Sequence, residues 1–405
     1  VAVGLIPPRE LAPLAGIRLA SAPAGIRYRG RDDLVLMEIA PGAATAAVFT
    51  RNAFQAAPVS VAGTHLAETP PRYLLINSGN ANAGTGEAGL RDALSCCEAV
   101  AHACGCTPHE VLPFSTGVIG EPLAVARITA ALPGLVRGLC EDGWLAAAQA
   151  IMTTDTVPKG ITRSIDVEGA RVRITGMAKG AGMIRPDMAT MLAFVASDIR
   201  MPRSLLEAAL RETVAGSFNA ITVDGDTSTN DACVLMATAR SGVAIERNEG
   251  PGYGVFRLAL SEVMGHLAQS IVRDGEGATK FITVQVRGAP TQCEARRVAY
   301  SVAHSPLVKT AFFASDPNWG RILAAVGRSG VAGLDATRVD ISLDDLPVVR
   351  GGAAAPGYTE AAGCRVMSRP EIRLAIELNL GHCGAEIWTT DLSHDYVRIN
   401  AEYRS

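Results

Sequence analysis

The 405-residue sequence has no excess of charge of one sign. Its 37 Lys and Arg stand against 40 Asp and Glu with no basic block, which argues against a nucleic-acid groove or an anionic membrane surface and leaves a small substrate. No 18 consecutive residues are apolar without a charge or a breaker, so no membrane-spanning helix is expected. Residues 1–30 carry prolines and charges where a secretory signal needs an uninterrupted apolar core. The expectation is a soluble, cytoplasmic protein. Nine cysteines lack a framework spacing, which suits reduced thiols. The cluster "CCEAVAHACGCTPHE" holds Cys96, Cys97, His102, Cys104, Cys106 and His109. Adjacent Cys96 and Cys97 on a helix point about 100° apart and no second C-x-x-C completes a tetrahedron, so no metal is expected. G-x-S-x-G and H-E-x-x-H are absent, and the G-x-x-x-x-G-K-[ST] spacing is met by neither "GMAKGAGM" nor "RDGEGATK". A Ser-His-Asp hydrolase and a nucleotide loop are therefore disfavoured, and the base of any acyl chemistry need not be histidine.

What remains is a mixed α and β chain too long for one ordinary domain, so two lobes or one large layered fold are expected. Strands are expected at 34–40, 45–50 and 72–78, in "EVLPFS" and "TMLAFVASDI", and in "FITVQVRG" and "RVDISL". Helices are expected at 87–103, 121–139, 143–152 and over "PRSLLEAALRETVAGSF". Alternation and glycine breaks from "IRLAIELNL" to the end predict consecutive antiparallel strands, and 349–360 an exposed loop.

The polar loops fall at strand ends, where ligand contacts concentrate. "NSGNANAG" (77–84) suits positive φ. In "STGVIG" (115–120) the Thr116 hydroxyl and the Gly117 N–H could aim at one point, as an oxyanion hole requires. "DGDTSTND" (224–231) has the alternation of a calcium loop but Thr229 at its sixth position and Leu235 at its twelfth, so it reads as a turn whose side chains satisfy one another. "RDGEGATK" (273–280) offers Glu276 as an exposed carboxylate between glycines. "GMAKGAGM" reads as a glycine-rich turn around Lys179 placed before a buried strand.

These motifs, together with "IMTTDTVPK", "KGAGMIRPDMATMLAF", "SDPNWGRI" and the terminal "YVRINAEYRS", occur in the order seen in the ornithine acetyltransferase (glutamate N-acetyltransferase) family, which the chain resembles from about Phe49 to Ser405. The resemblance implies a layered α/β sandwich built from both products of a self-cleavage, with a second, smaller lobe in the C-terminal half. It implies a cut between Ala189 and Thr190, giving chains 1–189 and 190–405 that associate as a heterotetramer. Acetyl would pass from N-acetylornithine to glutamate through acetyl-Thr190. Thr116 and Gly117 would hold the oxyanion, and Thr153, Lys179, Thr190, Glu276, Asn400 and Ser405 would contact substrate. No cofactor is implied, and acetyl-CoA as a second donor is left open. Asp187 stands where many relatives have Asn, and Ser405 replaces a common Thr.

The chemistry has its own logic. A threonine hydroxyl needs a base, and a free α-amine with a pKa of about 7.7–8.0 is one at the same residue, but only after the preceding peptide bond is cut. Small Ala189, flexible Gly180 and Gly182, and Pro186 would let the loop bend so that the Thr190 hydroxyl reaches the preceding carbonyl. Lys179 favours a substrate carboxylate and Glu276 a substrate amine. Two alternatives stand beside this reading: a self-processing amidase or aminopeptidase that gives its acyl group to water, and a non-catalytic amino-acid binder on the same fold.

Overall fold

A computed structural model describes residues 2–185 and 191–402. The chain forms two compact units, a larger one of 6–219 and 226–271 and a smaller one of 1–5, 220–225 and 272–405.

The larger unit contains two sheets. The first has the order β1 (Ile17–Ala22), β2 (Leu34–Ile39), β4 (Tyr73–Asn80), β5 (Val111–Val118), and the second the order β3 (Ala44–Phe49), β10 (Ala232–Ala237), β8 (Leu192–Ser197), β7 (Ala170–Lys179), β6 (Lys159–Val167). Strands such as "LVLM" are apolar on both faces because both faces are covered. Leu34, Leu36, Leu75 and Val111 face Ala93, Cys97 and Val100 of the helix Gly86–Cys104 and Ile128, Leu132 and Leu135 of Val125–Gly138. On the opposite face, Val35, Met37, Ile76 and Phe114 pack against Met177, Phe194, Val234 and Met236 of the second sheet. Phe114 and Phe194 meet edge to face, with ring centroids 5.2 Å apart. The far face of the second sheet is covered by the helix Pro251–Arg273, whose Val263 and Leu267 fill the space left by Gly176. The result is a helix–sheet–sheet–helix sandwich, and its second sheet draws strands from both sides of position 190.

The smaller unit holds β9 (Ile221–Thr222), β11 (Phe281–Ala289), β12 (Asp340–Leu343), β13 (Leu346–Arg350), β14 (Ala353–Ala354), β15 (Glu371–Glu377) and β16 (Cys383–Thr390) in the order β14-β13-β12-β15-β11-β16-β9. Val298, Val302, Phe312, Ile322 and Met367 from its helices cover Ile282, Val284, Ile341 and Leu374.

Three sequence expectations need correction, and two elements lay outside them. β15 and β16 are strands but not neighbours, because β11 lies between them, parallel to β15 and antiparallel to β16. Among the described residues the last element is not a strand but the helix His394–Ala401, where Ser393 caps the N-terminus and Asp395 sits in the first turn. Lys179 is not in a turn; it is the last residue of β7. The hairpin β6–β7 was not foreseen, although Glu168 and Gly169, at φ 55° and 83°, form the two-residue positive-φ link such hairpins prefer. The helix Ala57–Glu68, opened by Pro58, also escaped the pattern. Among the described residues no helix is long and apolar enough to cross a membrane.

Candidate active site

In the larger unit β4 and β5 run parallel, with Ser78 opposite Thr116 and Gly79 opposite Gly117. The backbones meet closely. A Cβ on Gly117 would lie 2.2 Å from the Gly79 carbonyl carbon and 2.5 Å from the Asn80 nitrogen, and Gly117 has φ 135°, so only glycine fits. Beside it the buried Thr116 hydroxyl accepts a hydrogen bond from Lys179 Nζ at 3.0 Å. An ammonium can only donate, so the Thr116 proton remains to be given to a third group.

Lys179 reaches Thr116 because of its place in the second sheet. There Lys179 pairs with Leu192, Leu192 with Ala232, and Ala232 with Phe49, so the end of β7 and the starts of β8 and β10 share one edge. β8 begins two residues after Thr190. At the same edge Asp155 joins three segments. Its Oδ1 accepts Lys159 Nζ at 2.6 Å and Gly180 N at 2.7 Å, and its Oδ2 accepts Thr153 N at 3.0 Å. Both side chains of the Asp155–Lys159 pair are fully buried. Burial pushes the Asp155 carboxyl up, but the charges of Lys159 and Lys179 and these hydrogen bonds outweigh it and hold the group well below the usual carboxylate range. The charged form of this buried carboxylate is thus favoured by two lysines, Lys159 and Lys179. Sequence reasoning passed over Asp155 and Lys159, whose i,i+4 spacing within "TTDTVPK" was the available signal.

Glu276 and Asn400 belong to the smaller unit, and the fold brings them together. Asn400 Nδ2 donates to Glu276 Oε2 at 2.7 Å. Glu276 is buried rather than exposed, because its loop is pinned from both sides. Asp391 accepts the N–H groups of Thr279 and Lys280 at 2.9 and 3.0 Å, and Ser393 Oγ donates to Gly277 O at 2.6 Å. Gly277 is at φ 68°, and a Cβ there would come within 2.4 Å of Tyr396 N. Behind this loop Lys309 is buried and donates to both threonines at the end of β16, Thr389 and Thr390. Burial lowers its ammonium to about 8, against the pull of Asp391 and Asp224.

The predicted scissile pair Ala189 and Thr190, with Asp187 and Ser405, lies outside the described residues. Cys96 and Cys97 are buried on the helix Gly86–Cys104, where burial raises the Cys96 thiol to about 12. The described residues contain no group of His, Cys, Asp and Glu that could hold a metal ion.

Comparison with known proteins agrees with this architecture. The model of the ArgJ family matches residues 18–405. The arginine biosynthesis bifunctional protein ArgJ of Methylococcus capsulatus is 58% identical over 396 residues, 98% of this chain and 97% of its own length. Its namesake in Pseudomonas fluorescens is 52% identical over 406 residues, all of both chains. A crystal structure of the arginine biosynthesis bifunctional protein of Bacillus halodurans matches with a TM-score of 0.50 and 39% identity, covering 53% of this chain and 100% of that one.

Proposed function

The chain belongs to the ArgJ family, and from that membership we propose that it is an acetyltransferase of arginine biosynthesis that carries acetyl from N-acetylornithine to glutamate on Thr190. The observation that carries the mechanism is the Lys179–Thr116 hydrogen bond at the sheet edge where β8 begins. It leaves an oriented hydroxyl proton on Thr116 beside the Gly117 backbone, as two donors to an oxyanion require.

Self-cleavage between Ala189 and Thr190 generates the catalyst. The share of this chain that the Bacillus halodurans structure covers supports the cut, because that whole chain is about half as long as this one. The Thr190 amine then takes the hydroxyl proton, and Oγ attacks the acetyl carbonyl carbon of N-acetylornithine. Thr116 and Gly117 donate to the tetrahedral oxygen. The C–N bond breaks, ornithine leaves with the proton on its nitrogen, and an acetyl ester remains. The α-amine of glutamate attacks that ester and reverses the sequence, a ping-pong exchange. Thr153, Lys179, Glu276, Asn400 and Ser405 contact substrate in this reading, and chains 1–189 and 190–405 assemble as two of each. The relatives are named bifunctional, which supports acetyl-CoA as a second donor. In this reading no cofactor is required and the enzyme works in the cytoplasm.

Acetylation of glutamate with N-acetylornithine or acetyl-CoA as sole donor, beside sequencing of the purified fragments, tests this. Expected are a fragment beginning Thr-Met-Leu-Ala-Phe and transfer to glutamate faster than release of acetate. A start elsewhere removes the nucleophile assignment, and release of acetate without transfer makes the protein an amidase.

A further inference from the structure

The stretch "DGDTSTND" does more than satisfy itself. Internal bonds exist: Asn230 N donates to Ser228 Oγ at 3.1 Å, and Thr229 Oγ1 to Asn230 Oδ1 at 2.6 Å. The amide of buried Asn230, however, is directed outward. Its Nδ2 donates to Ala81 O at 2.6 Å and to Ser115 O at 2.9 Å. Two carbonyl acceptors require two N–H donors on one group, which the Asn230 amide supplies without a charge. Ala81 directly follows β4 and its backbone is tied to β5 by Ala81 N to Val118 O at 2.9 Å. Ser115 directly precedes Thr116, so the carbonyl that Asn230 grips belongs to the peptide plane that carries the Thr116 N–H.

The loop also reaches the other half of the chemistry. Thr227 Oγ1 donates to Arg185 O at 3.1 Å, four residues before Ala189. Thr227 is itself braced, its carbonyl accepting Asn52 Nδ2 at 3.0 Å, while Thr50 Oγ1 donates to Ser228 O at 2.8 Å and Ala56 N to Thr229 O at 2.9 Å. Past the loop, Ala232 N bonds Met191 O at 2.9 Å, one residue after Thr190. A single six-residue stretch thus ties the strand end bearing Thr116 and Gly117 to both flanks of the scissile position.

We propose that Asn230 and Thr227 are positioning residues: Asn230 fixes the Ser115–Thr116 peptide so that the oxyanion donors stay aimed, and Thr227 fixes the segment before the cut. This rests on the acetyl-transfer reading above. The two arms act at different times. Asn230 serves every tetrahedral intermediate, in self-cleavage and in both half-reactions. Thr227 serves self-cleavage alone, because its hold on Arg185 has no further task once the 189–190 bond is broken.

The test uses the full chain as wild type, Asn230→Asp, Asn230→Ser and Thr227→Val, following the fraction cut with time, kcat and KM for N-acetylornithine, and Tm. Asn230→Asp sets a carboxylate against two carbonyl oxygens; a displacement on the order of 1 Å can cost about 100-fold. Expected for this variant is a kcat roughly 10–100-fold lower per folded, cut molecule, with KM within about twofold of wild type. Asn230→Ser, which keeps one donor, should recover part of that kcat, and it carries the test if the aspartate variant does not fold. Thr227→Val should lengthen the cleavage half-time severalfold while cut enzyme turns over at the wild-type rate. The proposal is overturned if kcat per folded molecule stays within twofold of wild type in the Asn230 variants, or if KM rises in step with the fall in kcat/KM. An unchanged half-time in Thr227→Val removes that arm. Wild type that is itself uncut at Thr190 would instead defeat the underlying reading, whatever the variants do.

Discussion

Replacing Lys159 by Met removes one ion of a pair that has no access to solvent. Lys159 Nζ lies 2.6 Å from Asp155 Oδ1, and neither side chain is exposed. Stripping one partner from such a pair costs about 3–5 kcal/mol, because the remaining charge keeps its desolvation penalty. Asp155 would still accept from the Thr153 and Gly180 backbones and still feel Lys179, so the lower end, about 3 kcal/mol, is expected. In a unit of more than 200 residues each kcal/mol moves Tm by roughly 2–4 °C, which predicts a fall of about 6–12 °C near pH 8. The pH dependence makes the prediction specific. In the wild type the folded Asp155 pKa is depressed, so its contribution is present above the unfolded carboxyl pKa of about 3.9 and is lost only as pH falls through the lower folded value. In Lys159→Met the upward push of burial loses its nearest opponent and the folded pKa rises. A protonated Asp155 needs no counter-ion, so the Tm deficit of the variant should narrow as pH falls from 8 to 4. Thermal unfolding of both proteins across that range decides the matter. A deficit that is constant or widens in acid, or that is under about 2 °C at pH 8, would refute the reasoning.

Thr116→Ala removes one of the two oxyanion donors and should slow both half-reactions by about 100–1000-fold with ornithine affinity little changed, read from single-turnover acetylation and ligand titration; an unaltered rate contradicts the role. Lys179→Met removes a cation expected close to the Thr190 amine, whose free-chain pKa is about 7.7–8.0, so the acidic limb of kcat/KM should move to higher pH, and a shift to lower pH would confine Lys179 to binding or cleavage.

Much of the secondary structure of both units was readable from local pattern. Leu34–Ile39, Val111–Val118 and Phe281–Ala289 announce themselves as apolar runs between breakers, and the helices Gly86–Cys104 and Arg203–Ala215 by their three- and four-residue spacing. The glycine before the buried strand of the second sheet was legible as a loop, but the lysine beside it was not legible as a strand end, because the alternation of Arg171, Val172, Arg173, Ile174 and Thr175 stops at Gly176, three residues short of Lys179. Glu276 looked exposed because its glycine neighbours suggest a surface turn; Asp391 and Ser393, more than 100 residues away, bury it. The terminal strands were assigned to each other because they are adjacent in the chain, and only the return of β11 between them shows otherwise.

The sequence by itself determined the class of chemistry. A threonine behind a small residue, a Thr-Gly pair at 116–117, the absence of any competing nucleophile signature, and an order of motifs that resembles one family are facts of residue type and order. The tertiary structure alone decided which charges stand together. Lys179 meets Thr116 across 63 positions, and Asp155 is held between two lysines by backbone groups from separate segments. Asn230 bonds carbonyls 115 and 149 residues away. Such contacts leave no trace in local spacing, because periodicity records which face of an element is apolar, whereas a buried ion or amide is satisfied by whichever distant group the packing of two sheets brings within 3 Å.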